Sequence, residues 1–403
     1  MRRSTLAAIG TLVLTLAVAA TASAATKSSS GASGTAKGKP IIIGAAIDKT
    51  NFMSFFNLPA LTAAKLEIAK INAGGGVLNG RPLAFKDEDT TLDPAKTKSA
   101  ALDLLGKSAD IGWVTCDVDY AAPAVQEFLQ RKKLTIAPCI GTDQMGPKRF
   151  ASAGKLAFSF GNVAQDEGAA LAKLAIKKKW KTAVVVEDQL LYYTKSVCES
   201  FISRYKQLGG NVVSTIKFTQ NDKTIGNVTN EVNRTKAQTI AICTVTQSDL
   251  PSFVSGLRGL NDNRPIISPW SADGTFWLPK SPKVSNFWVI TFASIYGDDP
   301  SKQVRSLISK MKGKAKPTTG AFVTGASAID AIAYAIKKTK STNGAKLAGA
   351  LQKLHNFPTS GGPISFSSKF HTVFGRQYRI IRVTNGTAKY QGLIRAGTPA
   401  NIG

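Results

Sequence analysis

Few residues of this chain have the types and spacing that chemistry needs. The acidic run Asp87-Glu88-Asp89 offers hard oxygen ligands of the kind calcium and magnesium take. It leads into Thr90-Thr91 and then Asp93-Pro94, an N-cap followed by proline at the first helical position, so it reads as a polar loop before a helix. The two histidines, His355 and His371, have no metal-ligand spacing, and His371 in SSKFHT reads as a solvated turn residue. No C-x-x-C, P-loop or G-x-S-x-G is present, and the first strand-to-helix loop reads DKTNFMSFFN, not G-x-G-x-x-G. No cofactor, metal or catalytic set is expected, and binding is the better reading. The same first loop clusters Phe52, Phe55 and Phe56 beside Asn51 and Ser54, a mixture that can wall a pocket.

These loops have to be held by alternating strands and helices. The apolar run 41–47, IIIGAAI, fits a strand buried on both faces of a parallel sheet. Helices at 58–71, 95–107 and 122–131 alternate with strands at 82–86, 111–116 and 134–138. A second series begins near Phe158, with strands at 182–187, 212–217, 239–243, 265–268 and 287–292 between helices. Helices at 301–311, 320–338 and 347–354 and strands at 364–366, 378–383 and 388–391 follow, the last two joined by the Asn385-Gly386 turn. The pattern predicts an α/β protein with two doubly wound parallel-sheet lobes, whose ligands lie at the carboxyl ends of the strands.

Before the first strand, Arg2-Arg3, the apolar run 6–20 and Ala22-Ser23-Ala24 read as a secretory signal over 1–24. Residues 25–39 read as a flexible tether. No cysteine follows the apolar run, so no lipid anchor is expected and the mature chain is placed in the periplasm or the extracellular envelope space. Net charge is +27, falling to +25 without Arg2 and Arg3. Its lysines are spread over helix faces, as at Lys173, Lys177, Lys178, Lys179 and Lys181, without the aromatic interleaving of a nucleic-acid surface, and no nucleic-acid partner is expected. Such a surface can favour residence among anionic envelope polymers.

Residues 71–94, INAGGGVLNGRPLAFKDEDTTLDP, carry a helix end, an Asn79-Gly80 turn, a strand and the next helix start. This string resembles the hallmark of type I periplasmic binding proteins, in the branch of leucine/isoleucine/valine-binding proteins, with Leu78-Asn79 as a one-residue insertion. The resemblance covers 40 to about 397. It implies two lobes joined by three hinge crossings, near 158–160, 293 and 359–362. The N-terminal lobe would hold 40–158 plus 294–358, and the C-terminal lobe 159–293 plus 359–403. It implies a solute-binding protein of an ABC importer, a monomer that captures a small polar or amphipathic solute (amino acid, amide, or aromatic or amine-bearing compound) and docks a membrane permease. The alternative is a ligand-sensing domain serving a signalling receptor; no enzymatic activity is implied.

The resemblance also places ligand contacts. The 117–120 loop, DVDY, stands where relatives hold a ligand carboxylate, and brings in Asp119 and Tyr120. Two carboxylates there repel an anionic ligand unless paired. The 139–142 loop brings in Cys139, Ile140 and Thr142. Tyr192, with Tyr193 as a competing assignment, matches the pocket tyrosine, and Thr246 falls where relatives place an aromatic contact. Asp273 matches the acid that pairs with a ligand ammonium, and Trp270 is either a pocket wall or hinge packing.

Four cysteines allow three pairings. Cys116 ends one expected strand and Cys139 follows another, and the ends of sequential parallel strands can meet. Cys116–Cys139 is therefore expected, with Cys198–Cys243 by remainder. Peptide mapping without reduction should return these two cross-linked pairs; free thiols or crossed peptides would refute the pairing.

Overall fold

The structure is a computed structural model that describes residues 35–245 and 249–397. The expected signal segment, most of the tether and Thr246 lie outside the described residues. Strand β1 (Ile41–Ile47) is apolar on both faces and pairs in parallel with β2 (Leu83–Asp89) and β3 (Ile111–Val114). β4 (Thr135–Ala137) and β5 (Ala157–Asn162) extend the same sheet. Between these strands lie α1 (Ser54–Ala73), α2 (Pro94–Gly106), α3 (Val118–Gln130) and the short α4 (Pro147–Phe150). The second sheet is built from β6 (Thr182–Asp188), β7 (Asn211–Phe218), β8 (Thr239–Cys243), β9 (Ile266–Ser268) and β10 (Phe287–Thr291). Its helices are α5 (Ala164–Lys177), α6 (Tyr192–Gln207), α7 (Ile225–Arg234) and α8 (Asp249–Gly259). Then come α9 (Lys302–Met311), α10 (Val323–Thr339), α11 (Gly344–Leu351), β11 (Thr372–Val373), β12 (Tyr378–Thr384) and β13 (Thr387–Ile394).

The first sheet has the order β11-β5-β4-β3-β1-β2 and the second β13-β12-β10-β9-β8-β6-β7. Pairing is parallel except β10–β12 and β12–β13. Apolar helix faces cover both sides of each sheet. On the first, α1, α10 and α11 pack on one side and α2 and α3 on the other. On the second, α5 and α6 oppose α7 and α8. This is the expected two-lobed α/β architecture.

Local differences from the sequence reading have local causes. The acidic run belongs to β2, not to a loop, because each carboxylate finds a donor. Asp87 pairs with Lys49 and Lys65 at 2.9 Å each, Glu88 with Lys107 at 2.6 Å, and Asp89 accepts from Lys49 N, Thr91 N and Thr50 Oγ1. Helix α1 starts four residues before the expected position and contains Pro59. Proline cannot donate to the Phe55 carbonyl one turn back, and the Thr318 hydroxyl donates there instead. His371 is buried, stacked on Phe158 at 4.1 Å, with Nδ1 3.0 Å from the Ala157 carbonyl oxygen.

The chain passes between the sheets after β5, after β10 and between β11 and β12. The expected division assigned 159–162 and 359–373 to the second lobe, whereas these segments go with the first sheet. β5 continues in it to Asn162, and β11 pairs with β5. Phe366 packs edge-on against Phe158 and Phe160 at 5.3 and 5.2 Å, which holds the segment before β11 there. One side chain reaches residues at or beside all three passages. Arg376, just before β12, donates Nη2–H to the Phe160 carbonyl at 3.1 Å and Nη1–H to the Gly361 carbonyl at 3.4 Å. Its guanidinium lies 5.0 Å from the ring centre of Phe292, which follows β10. Burial lowers its pKa to about 10. Beside it, Asn162 donates to Asp166 Oδ2 at 3.2 Å and to the Tyr378 hydroxyl, and Gly375 N–H donates to Asp166.

Two outcomes follow for stability. Removing the Arg376 guanidinium strips two carbonyls of a charged donor, so Arg376→Ala should cost roughly 2–4 kcal/mol in denaturant unfolding. Burial pushes Asp166 up to about 6 and Glu167 up to about 8. An unfolded carboxyl ionises near pH 4, so the native chain holds extra protons between there and pH 8. Their contribution is full below about pH 4 and is lost as pH rises through 6 and 8. The melting midpoint should fall from pH 5 to pH 9, and Glu167→Gln should flatten that slope; an unchanged slope would refute the assignment.

Candidate functional site

The strands of both sheets end facing one another, and the loops leaving those ends enclose a cavity of about 20 Å³. From the first sheet come Met53 and Phe56 where α1 starts, Cys116 and Asp117 after β3, and Gly141 after β4. From the second come Leu191 and Tyr193 where α6 starts, Val245 after β8, and Trp270 with Ser271 after β9. The apolar members form one continuous cluster across the cleft.

Each wall residue is held from behind. Asn57 on α1 donates to the Asp48 carbonyl at 2.9 Å and accepts from Cys116 N–H at 2.9 Å, tying the first loop to the end of β3. Cys116 is bonded to Cys139 across a Cα separation of 4.8 Å, which joins the ends of β3 and β4. Cys198 is bonded to Cys243, fixing α6 to β8. Both pairings are the expected ones. Glycine is required at 141, because a Cβ there would lie 2.7 Å from the Tyr193 ring. Tyr193 and Trp270 share one anchor: Glu167 accepts from the Tyr193 hydroxyl and from Trp270 N–H, each at 2.7 Å. Burial outweighs those two hydrogen bonds and leaves the Glu167 carboxyl at about 8. Trp270 packs on Phe56 at 5.3 Å and Phe292 at 5.4 Å, and its indole Nε1–H is buried without an acceptor among the described residues. Asp117 caps α3, accepting from Asp119 N–H at 2.8 Å and Tyr120 N–H at 3.4 Å. Burial, and then the charge of Asp119, push its carboxyl up to about 7.

Of the expected ligand contacts that lie among the described residues, only Trp270 lines this cavity. The competing tyrosine, Tyr193, takes the wall position, and Tyr192 turns outward beneath Lys148. Cys139 lies behind Cys116, and Ile140 and Thr142 are buried with their carbonyls accepting from Ser159 and Thr372. Phe52 packs edge-on against Tyr120, 5.7 Å away. Phe55 stacks at 4.8 Å on Phe276, and both rings are partly exposed. Asp119 pairs with Arg149 at 2.7 Å and accepts from Tyr192 N–H at 3.0 Å, at the start of α6 where a helix favours negative charge. Asp273 is fully engaged inside the protein. It accepts from Thr291 Oγ1, Gly320 N–H, Gly274 N–H and the Tyr296 hydroxyl, at 2.7 to 3.0 Å. That set braces the passage after β10 and leaves the carboxylate no free lone pair for a ligand. Phe56, from the aromatic cluster of the first loop, does line the cavity, whereas Met53, Asp117, Gly141, Leu191, Val245 and Ser271 line it without having been singled out as ligand contacts; each lies within a few residues of one that was. Among the described residues no group of three or more His, Cys, Asp or Glu is disposed to hold a metal ion.

A periplasmic binding protein family model matches residues 40–388. No match emerges among curated protein sequences. Among solved structures, the Streptococcus pneumoniae branched-chain amino acid transporter substrate-binding protein LivJ, in complex with isoleucine, is 19% identical. It superimposes with a TM-score of 0.75 over 89% of this chain and 99% of its own. The Thermotoga maritima leucine-binding protein LivK gives 16% identity and a TM-score of 0.76 over 88% and 98%. A solute-binding protein of an ABC transporter from R. palustris, in complex with benzoate, gives 18% and 0.73 over 88% and 96%. With its two parallel sheets facing across a cleft and this match over almost the whole described region, the chain belongs to the periplasmic binding protein family.

Proposed function

We propose that this chain is the exported solute-binding component of an ABC importer. It would capture a small polar or amphipathic solute between its two lobes and present the closed form to a membrane permease. The observation that carries this reading is the cavity walled by strand-end loops from both sheets, with Asp117 and Gly141 on one side and Tyr193 and Trp270 on the other. An occupant that touches both walls favours the closed arrangement by its extra contacts there. The passages near 163, 292 and 374–377 would act as the hinge. The secretory features of residues 1–24 and the names of the structural neighbours support export and transport. The cavity, at about 20 Å³, has room for about one water-sized molecule, so the lobes must part to admit a solute.

Mass spectrometry of solute co-purified with the native chain should name the ligand. Small-angle scattering should then show a smaller radius of gyration with that ligand than without it; no compaction with any member of a broad solute library would sink the proposal. Trp270→Ala removes a wall ring and should weaken binding about tenfold or more, with the far-ultraviolet circular dichroism unchanged.

A further inference from the structure

The walls of the cleft also select a charge. Among the described residues, Asp117 is the only ionisable carboxyl that lines the cavity, and no lysine, arginine or histidine lines it. Glu167 stands behind Trp270 and Tyr193, so a second acid backs the opposite wall. Arg149, on α4, is bound to Asp119 rather than to Asp117. An anion placed here finds no lining cation among the described residues to offset its loss of water.

The hydrogen-bonding groups have the same bias. The Ser271 hydroxyl donates to the Thr244 carbonyl at 2.6 Å and the Tyr193 hydroxyl to Glu167, so both hydrogens are committed away from the cavity. Trp270 Nε1–H is the one lining side-chain donor left without an acceptor among the described residues. That side chain serves a hydroxyl, ether or carbonyl oxygen, and no lining side-chain cation among the described residues joins it to meet a carboxylate. Asp117, with one oxygen engaged in capping α3, lacks the counter-charge that an ammonium supplies. The remaining walls, Met53, Phe56, Leu191, Val245 and the Trp270 ring, suit an apolar body, and aromatic faces favour a cation further.

We infer that the cleft takes a compact apolar amine, with its ammonium on Asp117, and discriminates against carboxylates and amino-acid zwitterions. This rests on the solute-binding reading above and narrows it to a chemical class.

The test is isothermal titration of the purified chain with charge-matched pairs: benzylamine against benzoate, and isobutylamine against isovalerate, with L-isoleucine as the zwitterion. At least one amine should bind tenfold or more tightly than its carboxylate partner and than isoleucine. Asp117→Asn keeps the helix cap, since asparagine caps as well as aspartate, and should reduce the amine preference at least tenfold. Asp119→Asn, whose carboxylate is already paired with Arg149, should change it less than threefold. Equal or tighter binding of a carboxylate or of isoleucine, or a preference that survives Asp117→Asn, overturns the inference and leaves the solute-binding reading standing. Silence from all five compounds, together with no compaction in scattering, overturns both.

Discussion

The relation between the two sheets depends on one buried guanidinium. Arg376 donates to the Phe160 carbonyl in β5, just before the first passage, and to the Gly361 carbonyl on the segment leading to the third, and it lies over Phe292 on the second. Irregular backbone at a hinge leaves carbonyls without partners, and a buried carbonyl without a donor is costly. A planar group with five N–H donors can serve several such carbonyls at once, which an ammonium on a flexible stem does less well. The neighbouring Asn162, Asp166 and Tyr378 continue the same network, so the hinge is polar inside and apolar around it. Within it, Arg376 Nε–H and Asn162 Oδ1 are buried without a partner among the described residues.

The site follows from that geometry. Parallel strands put their carboxyl ends on one edge of each sheet, and the passages turn those edges toward each other. The Cys116–Cys139 disulfide joins two strand ends of the first sheet, and Cys198–Cys243 joins α6 to the second. Gly141 admits the Tyr193 ring, and Glu167 holds Tyr193 and Trp270 together. The four donors on Asp273 keep the passage after β10 in place. A residue that resembled a ligand contact thus serves the hinge, and a helix cap, Asp117, faces the cavity instead.

Much of the fold was legible in local patterns. The apolar run 41–47, the alternation of periodic segments and the Asn385-Gly386 turn are short-range signals. The acidic strand β2 was misread because three carboxylates disfavour a strand until lysines from α1, the end of α2 and the first loop neutralise them. His371 looked solvated because its neighbours in sequence are polar, while its contact is Phe158, far away in the chain. The lobe division drifted for the same reason, since Phe366 reaches back to Phe158 and Phe160.

By itself, the sequence determined the two parallel-sheet series and the family, which are written in residue order as periodicity, turn residues and a contiguous motif; the cysteine pairing followed only from the expected order of the strands. Only the tertiary structure decided which side chain of each loop faces the cleft: Tyr193 over Tyr192, Asp117 over Asp119, and Asp273 turned inward. A loop has no fixed period to carry its inward register. That register is set by partners distant in sequence, such as Gly141 beneath Tyr193 and Gly320 against Asp273, which come together only when the sheets do.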